Sequence, residues 1–154
     1  MWRTYLLRMI KLRFKEFRYP ELENKLDGVG KFIRLFGEIR FKTRNGWQKR
    51  ESAIIDTGAP ISMLLMDLWK SIETEILTDH EAYGINPGKE CSIQVLVGKV
   101  KCILVDNENN QSDELEILSY LALTNKIPLI IGFRDVLENF DIHLNFKDKT
   151  AYLQ

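Results

Sequence analysis

Metal and disulfide chemistry have little to work with in this chain. Of 154 residues, only Cys91, Cys102, His80 and His143 carry a thiol or an imidazole. The histidines lie far apart and fit no metal or triad spacing, so neither a metal nor a cofactor is expected. There is no Gly-x-Ser-x-Gly segment, which removes the serine-hydrolase turn from consideration. No apolar run approaches the roughly 20 residues needed to cross a bilayer, so no membrane partner is expected. Residues 1–10 are interrupted by Arg3 and Arg8 and lack both a clean apolar stretch and a small-residue cleavage site. A secretory signal is therefore not expected, the expected location is cytoplasmic, and both cysteines are expected to be reduced and packed.

Net charge is absent too, with 22 Lys and Arg against 22 Asp and Glu. Its distribution is uneven. Most of the basic residues precede Glu51, among them Arg3, Arg8, Lys11, Arg13, Lys15 and Arg18, while acids such as Asp113, Glu114 and Glu116 follow it. Such a basic half fits either a nucleic-acid arm or a solvated face neutralised by the acidic half. Without interleaved aromatic platforms the solvated face is the better reading, and no nucleic acid is expected as a partner. Hydrophobic residues make up 45% of the chain, enough for a core in a protein of this length.

Several local patterns resolve into ordinary structure. The run Asp106-Asn107-Glu108-Asn109-Asn110 has Gln111 where a calcium loop needs Gly and Ile117 where it needs Glu, so it reads as a solvated loop. Gly28-Val29-Gly30-Lys31 lacks the earlier Gly and the following Ser or Thr of a phosphate loop. Asn110-Gln111-Ser112 is a glycosylation sequon only in name without secretion.

What the chain does have is strand after strand. Arg8–Lys15 alternates polar and apolar, Tyr19-Pro20 breaks it, and Asp27-Gly28-Val29-Gly30 is a turn. A strand from Phe32 reaches the hairpin turn Arg44-Asn45-Gly46, and residues 50–55 return as the next strand. Residues 61–76 fit a short helix or an irregular wall, with Pro60 suited to a first helical turn and Trp69 to the core. Residues 92–97 and 100–105 read as a hairpin turning at Gly98-Lys99. Residues 115–123 and 129–131 are further strands, residues 135–140 a helical turn, and residues 142–146 and 150–153 a last hairpin. The expectation is an all-β closed sheet.

One segment stands out. The apolar run Ala53-Ile54-Ile55 delivers Asp56 onto the turn Thr57-Gly58-Ala59-Pro60. A carboxylate at the end of a buried strand is costly to keep without a use, because an unpaired buried charge is opposed by several kcal/mol. A second apolar strand closed by glycine, Ile127-Pro128-Leu129-Ile130-Ile131-Gly132, follows downstream. This ordered set, from about Phe32 to Leu153, resembles the retropepsin-like aspartic proteases, the single-domain relatives of retroviral proteases.

The resemblance implies a closed, barrel-like acid-protease fold with one short C-terminal helix. It sets residues 1–30 apart as an N-terminal extension, able to supply a strand to the same domain, and gives residues 31–154 to the protease domain. Peptide hydrolysis by carboxylates needs two of them sharing one proton, and this chain holds one Asp-Thr-Gly, so a homodimer acting on a peptide or protein substrate is implied. By resemblance, Asp56 supplies half of the dyad, Thr57 hydrogen-bonds across it, Gly58 donates an amide and Ala59 lines the cleft. The lid falls on Tyr83, Gly84 and Ile85, although Pro87 and the lack of a glycine-dense tip depart from the retroviral pattern. A non-catalytic, dimeric peptide-binding module on the same fold is the alternative.

Overall fold

A computed structural model of the protein describes residues 8–82 and 92–154. These residues are mostly strand and form one eleven-stranded sheet. Strand β1 (Ile10–Arg18) buries Ile10 and half-buries Leu12, Phe14 and Phe17, the alternation that its sequence predicts. It pairs antiparallel with β2 (Lys31–Thr43) from Arg13↔Phe36 to Arg18↔Lys31, and with the last strand through Ile10↔Leu153. Between β1 and β2, Pro20 opens a short helix, α1 (Pro20–Lys25), where its missing N–H costs nothing. The Glu23 carboxylate accepts the N–H groups of Gly28 (3.0 Å) and Gly30 (2.5 Å), which ties the α1–β2 turn together.

The Arg44-Asn45-Gly46 turn leads into β3 (Gly46–Trp47), with Gly46 at φ +149°, a conformation that disfavours any side chain. Strand β4 (Glu51–Ile55) runs antiparallel to β2. The next elements are β5 (Ser62–Leu64), helix α2 (Met66–Lys70), β6 (Thr74–Ala82), β7 (Ile93–Val105), β8 (Leu115–Ala122) and β9 (Ile130–Ile131). A 3₁₀ turn at Leu137–Asn139 precedes the hairpin of β10 (Ile142–Asn145) and β11 (Thr150–Leu153).

Pairings run from β2 to β4, β9, β5, β8 and β7, and β7 pairs back onto β2 through Phe41↔Cys102 and Ile39↔Leu104. Ile39, Phe41, Leu64, Ile117, Leu121 and Ile131 are wholly buried in that circuit. Each contributes about 2 kcal/mol by leaving water. Strands β10 and β6 stand at the two ends of the strand order.

Four expectations need correction. Residues 92–105 are not a hairpin: β7 passes straight through Gly98-Lys99 and pairs with β6 on one side and β8 on the other. Gly98 is a close-approach residue, since a Cβ there would lie 2.6 Å from the Glu75 carbonyl oxygen and 2.7 Å from Leu121 Cδ1. The short C-terminal helix is a 3₁₀ turn, and two short α-helices lie elsewhere, at α1 and α2. Pro60 does not open a helix; β5 intervenes and α2 begins at Met66. Trp69 is indeed core, with its indole N–H donating to the Ala122 carbonyl at 2.7 Å.

The fourth correction concerns the loop after β7. Asp106 is only 3% exposed. Its carboxylate accepts the backbone N–H groups of Lys11, Glu108 and Asn110, and the Asn110 side-chain amide, at 2.8–3.0 Å. The loop's outer residues are solvated; its first residue joins β1 to β7.

Candidate active site

The Asp56 turn is built by two strands that run parallel. Ile54 and Ile55 of β4 pair with Ile130 and Ile131 of β9, and the ladder continues past the strand end, where the Asp56 N–H donates to the Ile131 carbonyl at 3.0 Å. Buried Ile55 and Ile131 anchor this end of the sheet. The chain then reverses. The Gly58 N–H donates to Asp56 Oδ1 at 2.8 Å and the Ala59 N–H to the Asp56 carbonyl at 3.1 Å, an Asx-type turn on which the aspartate organises its own loop.

The downstream glycine motif clamps that loop from below. A Cβ on Gly132 would meet the Ala59 carbonyl oxygen at 2.5 Å and Ile61 backbone atoms at 2.9 and 3.0 Å, so only glycine fits. The N–H groups of Phe133 and Arg134 donate to the carbonyls of Ala59 and Pro60, both at 2.9 Å. The Gly132 N–H itself donates to the hydroxyl of fully buried Ser62 at 2.9 Å. Six backbone and side-chain hydrogen bonds therefore hold residues 56–62 against 131–134 and within their own turn. A carboxylate on such a scaffold has little freedom to wander.

Asp56 and Gly58 open onto a cleft of about 750 Å³, whose apolar wall includes Ala59, Met63, Tyr120, Ile127 and Ile130. Arg34 and Lys126 bring positive charge to the same cleft. Its volume lies within the range of ligand-binding clefts in general. Ala82 and Ile93 also line it, and they form the innermost described pair of the β6–β7 ladder. The chain between them carries the expected lid residues Tyr83, Gly84 and Ile85, which lie outside the described residues.

Apart from the three expected lid residues, which lie outside the described residues, the expected site residues fall into two groups. Asp56, Gly58 and Ala59 come together at the cleft. Thr57 is exposed at the tip of the turn. One physical argument changes. Asp56 is half-buried rather than buried, so it remains partly hydrated. Gly58 does not adopt the left-handed conformation; its lack of a side chain matters because a Cβ would press on Asp56 Oδ1 at 3.2 Å.

Arg34, Ser62, Tyr120 and Lys126 were not singled out from the sequence as site residues. A signal for Arg34 existed in the register, since Phe36 lies opposite Ile54 and Arg34 precedes Phe36 by the two residues that separate Ile54 from Asp56. Tyr120 follows from alternation in β8 once its buried face is known. Ser62 gave no such signal. No group of metal-ligating side chains occurs among the described residues, and no helix among them is long and apolar enough to cross a membrane.

No protein-family model matches the sequence, and no curated protein matches it. Among solved structures, the crystal structure of a retropepsin-like aspartic protease from Rickettsia conorii is similar at 14% sequence identity and a TM-score of 0.47, covering 99% of this chain and 96% of that one. A likeness at that level carries no argument about what this chain does.

Proposed function

We propose that the protein is a homodimeric aspartic endopeptidase. One observation carries the reading: Asp56 sits at the mouth of a cleft of about 750 Å³, its carboxylate fixed by the Gly58 N–H on a loop clamped by Gly132, Phe133 and Arg134. The sequence resemblance to the retropepsin-like family points the same way. Among the described residues that line the cleft, Asp56 is the only carboxylate, so a second copy must bring the other.

In that reading two Asp56 side chains meet on a two-fold axis and share one proton, because like charges about 3 Å apart cannot both ionise. The ionised carboxylate takes a proton from water as the water oxygen bonds to the scissile carbonyl carbon. The protonated carboxyl donates to the carbonyl oxygen. One carboxyl then gives its proton to the amide nitrogen while the other carboxylate takes a proton from a hydroxyl of the tetrahedral diol, so that the C–N bond breaks, the carbonyl re-forms as an acid and the pair again holds one proton. The Gly58 N–H holds one carboxylate oxygen and leaves the other for water.

A second reading keeps the fold and drops the chemistry. The cleft then binds extended peptides or partner proteins without cleaving them, a role open to one chain with one carboxylate. Incubation of the wild type and Asp56→Asn with a mixed peptide library, read by mass spectrometry, separates the two. New termini with the wild type alone support the peptidase. Binding without cleavage by either protein supports the module, and equal cleavage by both removes Asp56 from the site.

A further inference from the structure

The basic residues of the N-terminal half have a structural destination. Arg13 lies opposite Phe36, Lys15 opposite Arg34, and Phe36 opposite Ile54 across the β1, β2 and β4 ladders. Directly opposed residues project from the same face of a sheet. Arg13, Lys15 and Arg34 therefore share one face, and Asp56 stands two residues beyond Ile54 at its end. Lys15 and Arg34 are a like-charge cross-strand pair, an arrangement that lowers stability unless an anion compensates it.

Two of these cations are held in place. Lys15 Nζ lies 5.2 Å from the Phe17 ring centre and 5.3 Å from that of Phe36, and Arg13 donates to the Ser52 hydroxyl. Arg34 is different. It is exposed and, among the described residues, engages in no ion pair. It also belongs to two cavities at once, the Asp56 cleft and an adjoining groove of about 730 Å³ walled by Tyr19, Leu22 and Phe32. Lys126 adds a second cation to the cleft.

We propose that Arg34, backed by Lys15 and Arg13, is the specificity-determining residue of the cleft, and that it selects extended peptides bearing an acidic side chain beside the segment held at Asp56. The flank of such a peptide continues into the Tyr19–Phe32 groove. This rests on reading the cleft as a peptide site. A carboxylate suits the cationic patch better than nucleic acid does, because the rings beside it offer no free stacking face: Phe36 is buried and Lys15 covers both Phe36 and Phe17, while the exposed Tyr19 and Phe32 rings of the groove pack edge to face on each other at 4.9 Å. Arg34 also carries the planar fork that grips a carboxylate through two N–H groups.

The test uses the full chain with Asp56→Asn, so that cleavage cannot confuse binding. Labelled peptides of about ten residues carry a single Glu moved along an otherwise neutral sequence, each matched by its Gln isostere, and affinities are read by fluorescence anisotropy at low salt. At one register the Glu peptide binds about fivefold or more tightly than its Gln twin, a difference of about 1 kcal/mol. Arg34→Gln brings that ratio close to one, and Arg34→Lys restores part of it. Thermal melting of each variant shows that the fold persists. Equal affinities at every register overturn the inference, as does a Glu preference that survives in Arg34→Gln. Displacement of the Glu peptide by a single-stranded oligonucleotide at least as readily as by unlabelled peptide also overturns it. Cleavage by the wild type is scored separately. Glu preference without cleavage removes the peptidase reading and leaves Arg34's role intact, whereas cleavage indifferent to Glu removes the role and leaves the peptidase.

Discussion

Gly132 lies so close beneath Ala59 that a side-chain carbon on it would stand 2.5 Å from the Ala59 carbonyl oxygen. The obstacle is backbone, so no rotamer change relieves it. Gly132→Ala must push the 59–61 loop away from β9, weakening the Phe133 and Arg134 hydrogen bonds that hold it. A loss of about 2–3 kcal/mol is expected from the forced displacement. Chemical denaturation of Gly132→Ala measures it, and peptide binding should weaken in the same variant because Asp56 rides on the displaced loop. Wild-type stability together with wild-type binding would show that the loop yields freely.

Gly98 makes the same argument in the middle of the sheet. A Cβ there meets the Glu75 carbonyl at 2.6 Å, next to the register shift between Ile76 and Thr78 in β6. Gly98→Ala is expected to loosen β6 from β7, and also to displace the wholly buried Leu121 side chain of β8, whose Cδ1 a Cβ would meet at 2.7 Å. Amide exchange should accelerate in β6 while residues of β4 and β9 keep their protection. Uniform protection across all strands would count against this.

That glycine also explains where sequence reasoning failed. Gly98-Lys99 has the composition of a turn, and apolar runs on either side of it look like the two arms of a hairpin. What distinguishes a turn glycine from a close-approach glycine is the neighbouring strand, which periodicity cannot supply. Asp106 was misread for a related reason: a polar run looks solvated, and only the arrival of Lys11 from β1 reveals that its first residue is a buried acceptor. By contrast, the Asp56 turn and the Ile-Ile-Gly strand were legible because both are local. Arg44-Asn45-Gly46 was legible for the same cause. The clamp between the two motifs was not, since it depends on a parallel pairing between residues far apart in the chain.

Asp106 gives a prediction in pH. Burial tends to raise its pKa, but the N–H groups of Lys11, Glu108 and Asn110 and the Asn110 amide together outweigh that, and the carboxyl is held below its ordinary value of 3.8. A depressed pKa means that the ionised form is favoured in the folded state. Its stabilisation is therefore complete above pH 3.8 and is lost as the pH falls from there through the lower folded value. Asp106→Ala leaves four part-buried donors unmatched, and a loss of about 3 kcal/mol at neutral pH is expected. Denaturation between neutral pH and pH 3 should show the gap between variant and wild type narrowing at the acid end. A gap independent of pH would mean that the carboxylate's charge contributes nothing.

The last prediction separates what Asp56 does for the fold from what the proposed peptidase reading assigns to it. In the loop, Oδ1 serves only as an acceptor for the Gly58 N–H, a task that an asparagine side-chain oxygen performs equally well. Asp56→Asn should therefore fold like the wild type and melt at a similar temperature. Its chemistry is another matter, because an amide can neither take a proton from water nor share one with a second carboxyl. Peptide cleavage should fall by about 10³-fold or more. If the active unit is two chains, wild-type specific activity must also drop on dilution in step with dissociation seen by sedimentation, since one chain supplies one carboxylate. The rate should rise and fall with pH, because only the singly protonated pair is competent. Activity that stays proportional to protein concentration while sedimentation shows monomers would break the two-chain mechanism, whatever Asp56→Asn does. A bell-shaped profile that disappears with the mutation, joined to loss of activity on dilution, is the outcome that the paired-carboxylate reading requires.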